Sequence, residues 1–421
     1  MNKKLLSIFL SASLCLGCAG CGSSEATPQE QPIADPPESD GWCCIFAAAA
    51  LNPTLDQLPK NPHLSGSTCR QQFQAAASGT KIRLTFSNEY SETLDAPGED
   101  MVLESVHIAK LLKPGEPNID LTSDTVITFD GSESVTIPSG ETVTSDEIDF
   151  SFESLEFLAV STKFGTTPAF PTCHAEADCG SWVVDGNHVS ENFNPTSWMW
   201  SYFSLCRADA YSEGTETLVC FGDSITDGSI STFNGFDAWP NLLGQALQSD
   251  PATRHISVVN TAIAGNAIWG GWGAAAKDRF ERDVLNVPGV RYVVVLIGTN
   301  DIPGAQADTS EDMIKEYKAM IQACHSRGIK IYAGTITPFG NNDWWASELH
   351  EQIRSSVNEW MLSDDSGFDG CIDLTAATCD PSDPTKLKAE YDSGDGLHPS
   401  VKGHKAMGDA AIEYLSKLLK K

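Results

Sequence analysis

The sequence predicts two folded parts: an all-β sandwich of jelly-roll type, then a three-layer α/β/α unit built on about five parallel strands. Three observations carry this reading. At 421 residues the chain exceeds one typical domain. From residue 66 to 212, short apolar or alternating runs are separated by Gly, Pro, Asp and Ser at roughly the 8–12-residue spacing of a sandwich. From residue 213 to the end, short apolar runs alternate with longer runs of helical period, the pattern of a parallel sheet covered on both faces.

Residues 1–21, "MNKKLLSIFLSASLCLGCAGC", read as an export leader. Lys3 and Lys4 give a basic start, the stretch from Leu5 to Leu16 is apolar but too short to span a bilayer, and small residues surround the cysteines. Cys18 and Cys21 each follow a glycine, as the acylated cysteine of a bacterial lipoprotein does, although each has Cys rather than the usual Leu three positions before. The expected location is therefore the bacterial cell envelope, through a lipid on Cys18 or Cys21, or the exterior. Residues 22–65 read as a tether and a leading segment. Up to about residue 40 they are rich in Pro, Ser and acid. The apolar "GWCCIFAAAALNPTLDQLP" that follows is expected to pack on the sandwich, with a disulfide to Cys69 as one candidate.

Thirteen cysteines fit an oxidising compartment. Beyond the leader, Cys173 with Cys179 and Cys371 with Cys379 are candidate local disulfides, while Cys220 and Cys324 are candidate free thiols. Metal ligation competes with this reading, but no Cys-x-x-Cys recurs after the leader and no His pair has helical zinc spacing.

In the sandwich region the strands are read at "TKIRLTFSNEY", "DMVLESVHIAKLL", "DTVITFDG", "ESVTIPSGETVTSDEIDFSF" and "ESLEFLAVSTKF". In the second part the strands are "TLVCF", "HISVVN", "RYVVVLIG", "IKIYAGTITP" and "GCIDL". The helices between them are "FDAWPNLLGQALQ", "AAAKDRFERDVL", "SEDMIKEYKAMIQACHSRG" and "WASELHEQIRSSVNEWML", with a last helix from about Ser400. The formal net charge of −30 and the pI near 4.5 exclude a nucleic-acid or anionic-lipid binder, because phosphate surfaces would repel the chain.

In parallel sheets ligands sit beyond the carboxyl ends of the strands. Four such ends carry polar residues of different chemistry: Ser224 in "FGDSITDG", Gly265 and Asn266 in "AIAGNA", Asn300 and Asp301 in "GTND", and Asp395 with His398 in "GDGLHPS". A serine hydroxyl becomes a nucleophile when an imidazole takes its proton and a carboxylate holds that imidazole. A tetrahedral oxyanion needs preorganised N–H donors. Each residue also has a plain structural task open to it. Asp223 or Ser224 can cap a helix, Gly265 can serve a turn, Asn300 or Asp301 can cap, and Pro399 can open the last helix at its first position. Of nine histidines, His325, His350 and His404 lie in helical patterns and read as surface or packing residues. His398 alone combines a nearby acid with a loop.

The ordered set "FGDSIT", "AGN", "GTND" and "DGLH" resembles the four blocks of the SGNH (GDSL) esterase and lipase superfamily, whose fold is the flavodoxin-like α/β/α sandwich. The resemblance spans residues 216–418. It implies Ser224 as nucleophile, His398 as general base and Asp395 as its orienting acid. It also implies an oxyanion hole formed by the N–H groups of Ser224 and Gly265 and the side-chain amide of Asn300, and no metal or organic cofactor. Together with the preceding β domain, "RLTFSNEY", "AWPNLL" and "DPSDPTKLKAEYDSGDGLHPS" are similar to the xylan-esterase-like branch, which implies deacylation of carbohydrate. Asp223, Asn266, Trp269 and Trp272 are the candidate substrate contacts. The two tryptophans suit a sugar platform, an acyl pocket or core packing alike. A lipase or arylesterase with the same residues, and an inactive carbohydrate-binding lipoprotein, are the alternative functions. The sequence leaves the oligomeric state open.

Overall fold

The computed structural model describes residues 33–51, 64–91 and 98–421. The leader, Cys18 and Cys21 lie outside the described residues. Alternation in the first part yields two antiparallel sheets. One runs in the order Trp42–Ala47, Leu205–Tyr211, Gly79–Ser87 and Thr142–Thr144, with Ile148–Phe152 also pairing to Gly79–Ser87. The other runs Ser197–Met199, Ser181–Asp185, Ser67–Gln74, Phe157–Phe164, Met101–Lys110 and Thr125–Ile127, with Val135–Ile137 also on Met101–Lys110. Ile82, Leu84 and Phe86 project from one sheet with the period of two that a strand imposes. They share one fully buried core with Val106, Ile108, Leu158 and Val160 of the other sheet, the arrangement of a β-sandwich.

In the second part Glu216–Gly222, Ile256–Asn260, Val290–Leu296, Lys330–Gly334 and Cys371–Ile372 form a parallel sheet. Their spatial order is second, first, third, fourth, fifth. The first strand shows why both faces are covered. Leu218 and Cys220 point to one side with Trp239, Leu243, Met407 and Leu415, from the helices Trp239–Ser249 and Val401–Leu418. Val219 and Phe221 point to the other side with Met313, Tyr317, Ile353 and Val357, from the helices Thr309–His325 and Glu348–Leu362. Each such aliphatic side chain taken from water contributes roughly 1.5–3 kcal/mol. Strand order reverses at Glu216–Gly222, and the crevice of such a sheet opens there, beyond the carboxyl ends.

Several expectations need correction. The leading segment does more than pack on the sandwich: Trp42–Ala47 is one of its edge strands, paired to Leu205–Tyr211. The described end of the tether is docked as well, since Ala34 N–H donates to the His325 carbonyl at 2.9 Å and Arg291 Nη2 to that of Pro37 at 2.5 Å. The ten cysteines beyond the leader are all free thiols. Cys43 and Cys69 are both buried in the sandwich core as free thiols. Cys179 Sγ lies 2.9 Å from the Tyr202 hydroxyl instead of meeting Cys173. The helix Leu374–Thr378 separates Cys371 from Cys379. Pro399 does not open the last helix at its first position, because Ser400 is the cap and accepts the Gly403 N–H. No helix among the described residues is long and apolar enough to cross a membrane.

Candidate active site

The first strand ends at Gly222, where the chain must come close to its neighbour: a Cβ there would lie 2.3 Å from the Leu296 carbonyl oxygen. Asp223 then caps the short helix Ser224–Asp227, its carboxylate accepting the Ile225 N–H at 3.1 Å. Because Asp223 does the capping, the Ser224 hydroxyl is left for another partner. Ser224 Oγ lies 2.9 Å from His398 Nε2, and His398 Nδ1 lies 2.6 Å from Asp395 Oδ2. The other Asp395 oxygen accepts the backbone N–H groups of Leu397 and His398, both at 2.8 Å. A carboxylate only accepts, so His398 Nδ1 carries the proton and Nε2 has its lone pair toward the serine. Burial pushes the Asp395 carboxyl up, but the bonds from the His398 ring and from the two N–H groups outweigh it and hold it at about 2. Three residues more than 170 positions apart at the extremes thus form one hydrogen-bonded chain.

Gly265 and Asn300 lie at the neighbouring strand ends. Gly265 has φ +70, and the Trp272 indole lies so close that a Cβ would sit 2.8 Å from it, so only glycine fits. Among the described residues no backbone acceptor takes the N–H of Ser224 or of Gly265. Asn300 Nδ2 donates to the Asn266 carbonyl at 2.9 Å, which leaves its second amide hydrogen over. Asp301 binds the second-strand loop to the third, accepting the N–H of Ile268 at 2.9 Å and of Trp269 at 3.4 Å. Burial pushes its carboxyl up to about 6.

Two candidate substrate contacts have other tasks. Asp223 is fully buried as the cap. Burial, together with the carboxylates of Asp301 and Asp227, pushes it up to about 7 against the pull of the Ile225 N–H. Asn266 is also fully buried. Its amide donates to the carbonyls of Trp272 at 2.7 Å and Ala274 at 2.8 Å, and its oxygen accepts from Arg279 at 2.9 Å, so it shapes the loop rather than facing a ligand. Trp269 and Trp272 are 39% and 41% exposed, which removes core packing from their possible tasks.

Sequence reasoning missed Arg279 and Asp227. The fully buried Arg279 guanidinium donates to the carbonyls of Gly222 at 3.0 Å and Thr261 at 2.6 Å, binds Asp283, and lies 4.1 Å from the Phe221 ring centroid. It clamps the ends of the first two strands. Its only sequence signal is the spacing of Arg279 and Asp283, which also describes an ordinary surface pair. His325 meets Asp369, His350 meets the Trp345 carbonyl and His404 meets the Ser229 carbonyl, all structural contacts.

The family model described as GDSL-like lipase/acylhydrolase matches residues 220–406. No curated protein matches the chain. Among solved structures the chain is similar to a lipase/acylhydrolase from Enterococcus faecalis, at 21% identity over 49% of this chain and 98% of that one, with a TM-score of 0.39. It is similar to an acetyl xylan esterase at 23% identity over 47% of this chain and 98% of that one, with a TM-score of 0.36. It is also similar to an active-site mutant of a family two carbohydrate esterase from Clostridium thermocellum, at 14% identity over 88% and 98% of the two chains, with a TM-score of 0.37.

Proposed function

We propose that the protein, whose residues 220–406 match the GDSL-like lipase/acylhydrolase family, is a serine esterase that removes acyl groups, acetyl foremost, from carbohydrate. The observation that carries the reading is the unbroken chain from Ser224 Oγ through His398 to Asp395. Ser224 attacks the ester carbonyl carbon while His398 Nε2 takes the hydroxyl proton. Asp395 stabilises the imidazolium that results. The carbonyl electron pair moves to oxygen, and the resulting oxyanion is met by the N–H groups of Ser224 and Gly265 and the free amide hydrogen of Asn300. The tetrahedral adduct then breaks its bond to the alcohol, which leaves with the proton from His398. Water repeats the attack with the same base, freeing the acid and restoring Ser224.

Acyl size and alcohol class rest on the surroundings. The Trp272 indole against Gly265 puts bulk next to one oxyanion donor, which favours a short acyl group. Trp269 and Trp272 offer exposed flat faces of the kind that stack on sugar rings. The net charge of −30 disfavours anionic lipid as substrate. Acetate release from a panel of acetylated polysaccharides, with Ser224→Ala as control, tests the proposal, alongside nitrophenyl esters of increasing chain length. Acetate release that depends on Ser224 and kcat/KM that falls with acyl length are expected. A preference for long chains would replace this reading with a lipase. Export and lipidation of Cys18 or Cys21 belong to the same proposal, and loss of a lipid label in Cys18→Ser or Cys21→Ser is the expected result.

A further inference from the structure

The sandwich segment Cys173–Cys179 faces the loop that follows the nucleophile, and the pairing is regular. His174 Nε2 lies 3.0 Å from Asp227 Oδ1. Ser229 Oγ donates to Glu176 Oε2 at 3.1 Å, and Ser231 Oγ to Asp178 Oδ2 at 3.4 Å. Every second residue of one segment meets every second residue of the other. The Asn234 N–H closes the row on the Asp178 carbonyl at 2.8 Å. Between the two serines, Ile230 is turned out to solvent at φ +71, a region that β-branched residues rarely occupy, so the loop is held against its own preference.

Asp227 is the junction of this row with the chemistry. Its backbone ends the short helix that Ser224 begins. Its second carboxylate oxygen accepts the N–H of Ala264 at 2.7 Å, and Ala264 directly precedes Gly265. On the sandwich side, His174 Nδ1 lies 3.1 Å from the Ala49 carbonyl oxygen. A carbonyl and a carboxylate both only accept, so both ring nitrogens of His174 donate and the ring is an imidazolium. Both side chains of the pair are under a tenth exposed. A buried ion pair contributes little net stability compared with an apolar pair of similar shape. What it does supply is direction, because one carboxylate is held at fixed angles between His174 and the Ala264 N–H.

We propose that the sandwich is part of the catalytic apparatus, with His174 and Asp227 acting as positioning residues that set the Gly265 N–H against the Ser224 turn. This rests on the esterase reading and deepens it, by giving the sandwich a task other than holding substrate.

The test uses the full chain and 4-nitrophenyl acetate, with active sites counted by a fluorophosphonate. The variants are His174→Gln, Asp227→Asn and the double substitution, each checked for folding by circular dichroism at the assay temperature. Misplacing a donor by about 1 Å costs on the order of 100-fold. The expectation is therefore a kcat per titrated site lower by about 10–100-fold in each single variant, with KM unchanged. The double variant should be no slower than the slower single one, since a pair acting as a unit is lost only once. A purely structural role would lower the melting temperature and leave kcat per titrated site intact; that result overturns the proposal, as do additive losses. Should one single variant fail to fold, the other still decides. A wild-type chain without Ser224-dependent turnover would overturn the esterase reading itself, and this inference with it. An active wild type with variants of unchanged kcat would overturn the positioning role alone.

Discussion

Two of the histidine–aspartate pairs among the described residues join a ring nitrogen to a carboxylate at similar distance in opposite surroundings. At the sheet end, His398 and Asp395 lie 2.6 Å apart with side chains 22% and 45% exposed. At the junction with the sandwich, His174 and Asp227 lie 3.0 Å apart at 7% and 6%. The second ring nitrogen separates them. His398 Nε2 faces a hydroxyl, which can hand over a proton, whereas His174 Nδ1 faces a carbonyl, which has none to give. One imidazole is thereby free to act as a base and the other is locked as a cation. An acid beside a histidine therefore does not by itself make the ring a base; the group on the far nitrogen decides whether a proton can reach it.

Substitutions at the two pairs and around them separate their tasks. Ser224→Ala should reduce ester hydrolysis by on the order of 10⁶-fold with the fold intact; substantial residual turnover would mean that a second nucleophile serves the site. Asp395→Asn should cost about 10⁴-fold in kcat, because an amide at this position favours the wrong ring tautomer. Asp227→Asn should cost far less, and equal losses in the two would erase the distinction between the pairs. Asn300→Ala should cost about 100–1,000-fold, read as kcat on the same ester.

The smallest expected effect concerns stability. Burial disfavours charge on His174, but the Asp227 carboxylate, the Ala49 carbonyl and Glu176 outweigh it and push the ring up to about 9, from an ordinary 6.5. A raised value in the folded state means a stabilising contribution that is complete below about pH 6.5 and lost as pH rises through about 9. Thermal unfolding between pH 7 and 10 should show the wild-type midpoint falling by a few degrees more than that of His174→Gln. Parallel curves would show that the buried pair does not titrate there.

The parallel sheet was legible because its strands are buried on both faces and so read as plain apolar runs, and because strand ends are where chemistry collects. Ser224, His398 and Asp395 group on that basis from the sequence itself. The strand Ser67–Gln74, "STCRQQFQ", could not be read, since its central residues are polar and yet buried. Arg70 is satisfied by the Ser161 hydroxyl and the carbonyls of Pro117, Val189 and Glu191. Gln71 bonds both the N–H and the carbonyl of Phe203. Such partners lie far along the chain, and periodicity carries no trace of them. Asp223 and Asn266 differ in that their partners are close in sequence: their place in the motifs suggested a ligand, while the Ile225 N–H and the carbonyls of Trp272 and Ala274 make them framework. His174 was passed over because nothing within "CHAEADC" shows that it faces Asp227, 53 residues on.

The strand Trp42–Ala47 has a consequence for how this molecule can be taken apart. It pairs with the sandwich through Leu205–Tyr211, and Cys43 is buried in the sandwich core. One residue later, Cys44 is buried in the core beneath the parallel sheet. Its N–H is shared between Thr217 Oγ1 and the Pro288 carbonyl, and its own carbonyl accepts from Ser257 at 2.6 Å. A fragment cut near residue 213 would lose a piece of its own interior. Neither half is therefore a graftable module: gene fusions, exchanges with relatives and minimal expression clones should treat everything from Trp42 onward as one indivisible unit.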